Sequence, residues 1–375
     1  MNKNTTAALL LAGAAWSAQA QNTSSAVLYG TFDEYIGYIS SNSGKSITGL
    51  NDGAILRSRL GVRGTEELGN GLQIKFTLEQ GINADTGSGA DTSRLFDRQA
   101  WIGLNTPYGE FRAGRQNTQV FYIGGAIDYT ERTTFGSMFN TFGVPSRYDN
   151  DISYKSPRLY GVQVDLHYAL PEKAGQGVGG GVRQLAIDWQ QGAWRAGYAG
   201  VIASPDPATV KVNRKIEYHN LYANYRYGPG TIYVAAGRSN NSTASAAGRN
   251  AGSILSNVGA TGNGFVGTDA NANRFYNLWE VSADYRVSQQ FRVGAMVGGV
   301  HDTSGGQAGA RSANIGGYYD LSKRTLLYGF ATVLKNDTNA GFRFSSSAAP
   351  SANLAGADID GRRLKGLQLG ILHKF

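Results

Sequence analysis

The feature that most constrains this chain is an alternation of apolar and polar side chains, which recurs in segments of roughly ten residues. Residues 72–79, 162–170 and 279–287 are clear examples. Successive side chains of a β-strand point to opposite faces, so each segment predicts a strand with one apolar and one polar face. The pattern indicates an all-β chain, but the strands of a soluble sandwich alternate in the same way.

The lengths of the connections between these segments distinguish the two architectures. The short links fall at 67–71, 105–109, 156–158, 190–192, 228–230, 288–290 and 321–323, and the long ones at 40–52, 117–146, 240–272 and 336–361. Tight turns at one rim and long loops at the other are typical of an outer-membrane barrel. We therefore predict an all-β fold, a 16-stranded antiparallel transmembrane β-barrel. A barrel of this size has room for a water-filled lumen.

The N-terminus indicates export. Lys3 gives a basic start, residues 7–15 form an apolar core, and Ala18-Gln19-Ala20 matches a small-x-small cleavage site. This is the pattern of a secretory signal peptide, so we assign residues 1–20 to the signal and residues 21–375 to the mature barrel. The formal net charge of +8 favours anionic partners, but export makes nucleic acid an unsuitable one.

One connection is far longer than a hairpin needs. The stretch Gln116–Arg147 carries six aromatic residues and two carboxylates, Asp128 and Glu131. A loop of this length that can still pack is usually functional. We predict that it folds back into the lumen of the barrel and narrows it. The alternative is that it lies on the outer surface.

Arginines stand at several positions expected to face the lumen. Arg57, Arg59 and Arg63 alternate with apolar residues, so they share the polar face of one strand. Arg98 begins a strand that leads away from a long loop, and Arg147 follows directly on the long stretch. Arginine suits a crowded basic cluster because it stays protonated there.

From Ser25 to Phe375 the sequence resembles the general porins of Gram-negative bacteria, in particular the beta-proteobacterial branch. Several stretches in the family's order carry the resemblance: AVLYGTFDEYIGY, SRLGVRGTEELGNGLQIKFTLEQG, RLFDRQAWIGLNTPYGEFRAGRQNT, RYDNDISYKSP and the closing LHKF. The resemblance implies a sixteen-stranded barrel. It also implies a homotrimer and a third long loop folded inside the lumen.

The resemblance implies roles for individual residues as well. The family places a basic cluster on the wall opposite the inserted loop. The matching residues are Arg59, Arg98 and Arg147, with Arg57 and Arg63 beside them. Asp128 and Glu131 would face this cluster from the loop. The chain ends on Phe375, and the assembly machinery of bacterial outer membranes recognises a last strand that ends in an aromatic residue.

We therefore expect a passive outer-membrane channel for small hydrophilic solutes, with a preference for anions. Its expected partners are two further copies of the chain, outer-membrane lipid and lipopolysaccharide, and the assembly machinery. We expect no catalytic residue, metal or cofactor, because the histidines lie on separate segments. The alternatives are a substrate-specific channel for an organic anion or phosphate, an outer-membrane barrel enzyme, and an adhesin with a sealed lumen.

Overall fold

A computed structural model of the chain describes residues 24–172, 180–203, 215–240, 275–345 and 350–375. The described strands form one antiparallel sheet in which neighbours follow chain order. The last strand pairs with the first, from Thr31 opposite Lys374 to Ser41 opposite Leu364, so the sheet closes into a barrel. Closure removes the exposed edges of an open sheet. The signal peptide assigned to residues 1–20 lies outside the described residues and stays a prediction.

The strands and helices of the described residues are short and regular. The strands are β1 (Ser25–Ser41), β2 (Ser46–Asp52), β3 (Arg59–Gly69), β4 (Leu72–Asn83), β5 (Ser88–Gly89), β6 (Gln99–Thr106), β7 (Gly109–Asn117), β8 (Arg147–Lys155), β9 (Val162–Ala169), β10 (Val182–Gln191), β11 (Trp194–Ala203), β12 (Ile216–Tyr227), β13 (Gly230–Ser239), β14 (Tyr276–Arg286), β15 (Phe291–Asp302), β16 (Ala310–Asp320), β17 (Thr325–Asn336) and β18 (Arg363–Lys374). The helices are α1 (Gln119–Tyr122), α2 (Gly124–Ile127) and α3 (Met138–Phe142), and a 3-10 turn spans Gly356–Asp358. No helix in the described ranges is long and apolar enough to cross a membrane.

The eighteen strands of the described residues occupy sixteen positions in the barrel wall. β3 pairs with the first half of β1 and β2 with its second half, so β2 and β3 share one position around the connection 53–58. β5 pairs only with the end of β4, outside the main sheet. The predicted sixteen-stranded antiparallel barrel is confirmed.

Short and long connections alternate between the two rims. Asn70 and Gly71 join β3 to β4 with φ of 53° and 76°, the left-handed conformation that a two-residue hairpin turn requires. At the other rim the described connections include 84–98, 118–146 and 303–309, and the links between β9 and β10, β11 and β12, β13 and β14, and β17 and β18 contain residues outside the described ranges. The prediction of a long loop at 40–52 is wrong, because residues 46–52 form β2 and give the second half of β1 its pairing partner.

The two faces of the wall differ in chemistry. Large aliphatic side chains point outward at alternating positions and stay exposed, among them Leu221 at 60 %, Ile315 at 63 % and Leu369 at 61 %. The intervening positions are buried and often polar, as with Glu280 and Ser282 on β14. An exposed aliphatic face around a closed wall is stable in lipid, where all backbone groups must be paired within the protein.

Candidate functional site

The 118–146 segment, which connects β7 to β8, contacts the buried polar face of the wall. It hydrogen-bonds to Gln99 on β6 and to wall residues on strands from β10 to β17, namely Gln184, Asn224, Glu280, Ser282, Asn314, Tyr318 and Thr332. Tyr129 Oη donates to Asn314 Oδ1 at 2.6 Å, and Tyr318 Oη donates to the carbonyl oxygen of Thr130 at 2.7 Å. The segment therefore packs against the side of the wall opposite to the aliphatic face.

Glu280 on β14 holds the start of α3. Its carboxylate accepts hydrogen bonds from the backbone N–H groups of Met138 and Phe139, the latter at 3.0 Å, and from the Ser137 hydroxyl at 3.1 Å. The first N–H groups of a helix have no partner within it and carry partial positive charge. The fully buried Glu280 carboxylate satisfies both needs. It fixes this part of the segment to the wall.

Aromatic rings join the segment to the last long connection, residues 337–362. Phe135 stacks on Phe344 with ring centroids 4.6 Å apart. Phe142 lies 6.4 Å from Phe342, and all four rings are buried. Stacked aromatic pairs of this kind contribute roughly 0.5–1.5 kcal/mol beyond the burial of their area. The two connections are thereby held together at the long-loop end of the barrel.

Arg59 on β3 and Arg98, which immediately precedes β6, share the carboxylate of Glu79 on β4. Arg98 Nε donates to Glu79 Oε1 at 2.7 Å, and Arg59 Nη1 lies 3.8 Å from Oε2. Tyr29 Oη also donates to Oε2, at 2.9 Å. Arg98 and Glu79 have almost no exposed surface, whereas Arg59 keeps 12 % of its side chain exposed. Arg98 was expected to line the pore, but its side chain is buried against Glu79 and has almost no surface of its own.

Arg147, the first residue of β8, adds a third guanidinium group. It interacts electrostatically with Arg59 and Arg98. Its guanidinium carbon lies 5.3 Å from the ring centroid of Phe121, and that of Arg132 lies 4.8 Å from the same centroid. Cations are attracted to the face of an aromatic ring. Phe121 therefore brings a basic residue of the 118–146 segment close to a basic residue of the wall.

We call Arg59, Arg98 and Arg147 the arginine cluster. Among the described residues, several of its N–H groups have no hydrogen-bond partner: Nη2 of Arg59, Nη1 and Nη2 of Arg98, and Nε and Nη2 of Arg147. Three guanidinium groups against the one carboxylate of Glu79 leave two net positive charges. Buried donors without partners are costly, and the planar arginine fork matches carboxylate and phosphate groups. The cluster is therefore suited to attract anions.

Arg57 and Arg63 have different surroundings from the cluster. Arg57 donates to Asn83 Oδ1 at the end of β4 and lies 4.0 Å from Asp52 at the end of β2, so a carboxylate stands beside its charge. Arg63 is exposed, and its guanidinium carbon lies 5.1 Å from the ring centroid of Tyr29. Arg63 thus remains open to solvent, whereas Arg57 is held by its neighbours.

Asp128 is placed differently from the expectation that it faces the arginines. It is fully buried, and its Oδ1 accepts hydrogen bonds from Thr130 N at 2.8 Å, Thr130 Oγ1 at 2.5 Å and Arg132 N at 3.3 Å. Burial raises the pKa of this carboxyl above its ordinary value. Asp128 therefore closes a turn inside the segment and does not reach solvent.

Glu131 lies at the tip of the same turn, with a left-handed φ of 55° and a side chain that is 48 % exposed. It forms an ion pair of 3.1 Å with Arg292 on β15, which also contacts Asp284 at 3.2 Å. β15 lies across the ring from the strands of the arginine cluster. Glu131 is therefore paired with Arg292 and makes no ion pair with the arginine cluster among the described residues.

Sequence reasoning did not single out Glu79, Glu280 or Arg292. Glu79 occupies a position on the polar face of β4, which pairs with the strand of Arg59. Side chains on the same face of neighbouring strands lie close together, so the pair could have been predicted. Glu280 gave no such signal, since the N–H group of Phe139 that it accepts from is 141 residues away in the chain.

A sequence profile described as Gram-negative porin matches residues 5–339. The chain belongs to the Gram-negative porin family. An outer membrane porin protein of Bordetella pertussis is 29 % identical over 90 % of this porin and 95 % of its own length. Outer membrane porin protein 32 of Delftia acidovorans is 26 % identical over 100 % of both chains. The porin resides in the outer membrane, and it is a channel protein rather than an enzyme.

Solved structures share the fold of this porin. The anion-selective porin from Comamonas acidovorans has a TM-score of 0.72 and 23 % identity, covering 94 % of this chain and 100 % of that one. OmpF of Salmonella typhi has a TM-score of 0.63 and 12 % identity, covering 93 % of this chain and 97 % of that one. At such identities the likeness concerns the barrel itself.

Proposed function

We propose that this porin is a passive, water-filled channel for small hydrophilic solutes with a preference for anions. The arginine cluster carries this proposal, because three guanidinium groups face one carboxylate at the polar face of the wall. A basic wall lowers the energy of an anion in a narrow lumen and raises that of a cation. The name of the Comamonas neighbour, an anion-selective porin, agrees with the proposal.

The 118–146 segment is the proposed constriction. Its contacts with strands from β10 to β17 and the ring contact between Phe121 and Arg147 support a position inside the barrel. Burying three short helices in a lumen reduces its cross-section and brings permeating ions close to the wall. Charges there act strongly, since two unit charges ~4 Å apart interact by ~4 kcal/mol at an effective dielectric of about 20.

The experiment that tests the function is conductance of the purified porin in a planar bilayer under a potassium chloride gradient. We expect stable open channels and a reversal potential of the sign that chloride permeation produces. A reversal potential of the sign that potassium permeation produces would contradict the anion preference. Zero conductance would contradict the channel and favour the adhesin with a sealed lumen.

A second candidate is a substrate-specific channel for an organic anion or phosphate. The arginine cluster favours it, because the planar guanidinium group matches phosphate and carboxylate groups in geometry as well as in charge. Phosphate or an organic acid would then block chloride current with a saturation curve at low concentration. Linear conductance over the same concentrations indicates a general diffusion channel instead.

We also propose that the mature chain begins at Gln21 and assembles as a homotrimer in contact with lipid and lipopolysaccharide. Phe375 is the proposed recognition residue for the assembly machinery. Its backbone pairs with Gly30 through hydrogen bonds of 3.1 and 3.2 Å, and its ring lies 5.8 Å from that of Phe32. The ring is 40 % exposed and is thus accessible at the short-turn rim.

Phe375→Ala should reduce the amount of folded porin recovered from the outer membrane several-fold, because it removes the terminal ring and keeps the backbone pairing. Heat-modifiable mobility in gel electrophoresis measures the folded fraction. Phe291→Ala is the matched control, since Phe291 is another exposed ring at the start of a strand on the same rim. An equal loss in both variants would contradict a special role for the terminal residue.

A further inference from the structure

A cavity of about 400 Å³ opens on the polar face of the wall, between the 118–146 segment and the short-turn rim. Residues of β7 to β11 line it, and Gln119 and Tyr122 of α1 close one side. Lys155 at the end of β8 and Arg158 in the short link that follows lie at its other end. The arginine cluster is not among its lining residues in the described part of the chain. Its volume is within the range of sites that hold small molecules.

Most charged side chains of this cavity are already paired with one another. Arg195 Nε lies 2.7 Å from Asp188 Oδ1, and Arg158 Nη2 lies 2.5 Å from the other oxygen of the same carboxylate. Arg112 pairs with Glu110 in the same way. These pairs join neighbouring strands across the wall of the cavity. Their charges are largely offset, so they hold the shape of the site and select little by charge.

Lys155 on β8 and Asp165 on β9 are the exception. They stand directly opposite each other in the strand pairing, and both line the cavity. Side chains in such positions have Cβ atoms roughly 4.5–5.5 Å apart, and opposite charges there attract. Lys155 nevertheless forms no ion pair with any described carboxylate. Asp165 engages Oδ1 with His167 Nε2 at 2.8 Å and Gln184 Nε2 at 3.2 Å, and its Oδ2 has no partner among the described residues.

The two sides of the cavity therefore carry opposite charge. On the side of Asp165, the His167 imidazole lies between two carboxylates, 2.5 Å from Asp151 and 2.8 Å from Asp165. An imidazole carries at most one positive charge, so the two ionised carboxylates leave this side negative whether or not the histidine is protonated. On the other side, the Lys155 ammonium group is a cation with three donors and no carboxylate beside it.

We propose that this cavity binds a zwitterionic solute of the α-amino acid class, with its carboxylate on Lys155 and its ammonium group on Asp165. A simple anion satisfies only Lys155, and a simple cation satisfies only Asp165. An α-amino acid carries both charged groups on one carbon atom and bridges the two side chains. The inference rests on the proposed channel function, and it adds one class of solute that the lumen retains on its way through.

The test is a calorimetric titration of L-alanine into mature porin refolded in detergent. We expect saturable binding, and binding at least about tenfold weaker for propionate and for ethylammonium, since each lacks one of the two charged contacts. Lys155→Gln and Asp165→Asn should each weaken alanine binding by about the same factor. The matched control, Arg286→Gln with Asp320→Asn, removes a cation and a carboxylate from an exposed ion pair at the same rim and should bind like the unchanged porin.

A charge exchange separates binding from a structural role. Lys155→Asp with Asp165→Lys keeps both charges across the same two strands, so alanine can bind in the reverse orientation. This variant should recover most of the affinity that either single variant loses. Equal affinity for propionate and alanine, unchanged binding in both single variants, or an equal loss in the control would each overturn the proposal.

Conductance of the same preparation in a planar bilayer tests the channel separately. Alanine should reduce the potassium chloride current with a saturation curve, and this reduction should be smaller in Lys155→Gln and in Asp165→Asn. A porin that conducts ions but binds no alanine contradicts the zwitterion site alone. A porin that conducts no ions contradicts the channel function, and alanine binding in calorimetry then still decides whether the site exists.

Discussion

Replacing Arg59, Arg98 and Arg147 together by serine is expected to change the porin from anion-preferring to cation-preferring. The substitution removes three positive charges and leaves the buried carboxylate of Glu79 in place. One unit charge ~4 Å away contributes ~4 kcal/mol at an effective dielectric of about 20. We therefore expect the chloride-to-potassium permeability ratio to fall at least about tenfold, since 1.4 kcal/mol corresponds to that factor. The reversal potential in a potassium chloride gradient measures the change.

Two companion variants separate the cluster from general charge effects. Serine at Arg286, Lys323 and Arg324 removes the same charge at the short-turn rim. It should shift the reversal potential far less, because exposed charges are screened over ~10 Å at 0.1 M salt. Adding Glu79→Gln to the triple serine variant should leave a channel with little preference for either ion. A triple serine variant with an unchanged reversal potential rules the cluster out as the source of selectivity.

Glu280→Ala is expected to release the 118–146 segment from the wall. The backbone N–H groups of Met138 and Phe139 would lose their acceptor, and a buried donor left without a partner costs about 1–3 kcal/mol. We expect a larger single-channel conductance with increased open-channel noise, together with a lower thermal unfolding temperature. Bilayer recordings and a melting curve of the same preparation measure both effects.

The controls for this variant test whether the position of the segment sets the bore. Glu280→Gln keeps an acceptor oxygen and should have a smaller effect than Glu280→Ala. Glu66→Ala removes an exposed carboxylate from β3 and should change neither quantity. If Glu280→Ala lowers the unfolding temperature but leaves conductance and noise as they were, Glu280 contributes stability alone and the bore is set elsewhere.

The wall of this barrel was predictable because its rules are local. Alternation within a strand decides which face a side chain takes, and a tight turn decides where the strand ends. Thus Arg59 and Arg63 could be placed on the polar face from their neighbours alone, and Asn70-Gly71 could be read as a hairpin. The connections do not follow such a rule, and the expectation of a loop at 40–52 failed because pairing with β1 extends the sheet there.

Depth within the lumen was not predictable, because it depends on contacts between distant parts of the chain. Asp128 looked like an exposed loop acid, yet three hydrogen bonds turn it inward. Arg98 lies on the expected side but has no exposed surface, because Glu79 and the residues around it cover it. Alternation along a strand predicts which face of the sheet a side chain takes. It does not predict whether residues from another part of the chain bury that side chain.

The pairing of β1 with β18 has a consequence for biogenesis. Thr31 meets Lys374, so the first described strand finds its neighbour only when synthesis has reached the last residues of the chain. A prematurely terminated product has two open sheet edges. Their backbone N–H and C=O groups have no partner in the hydrocarbon of the membrane, where each unsatisfied group costs several kcal/mol. Such a product cannot close into a barrel, so pairing of the first and last strands selects for chains that contain both.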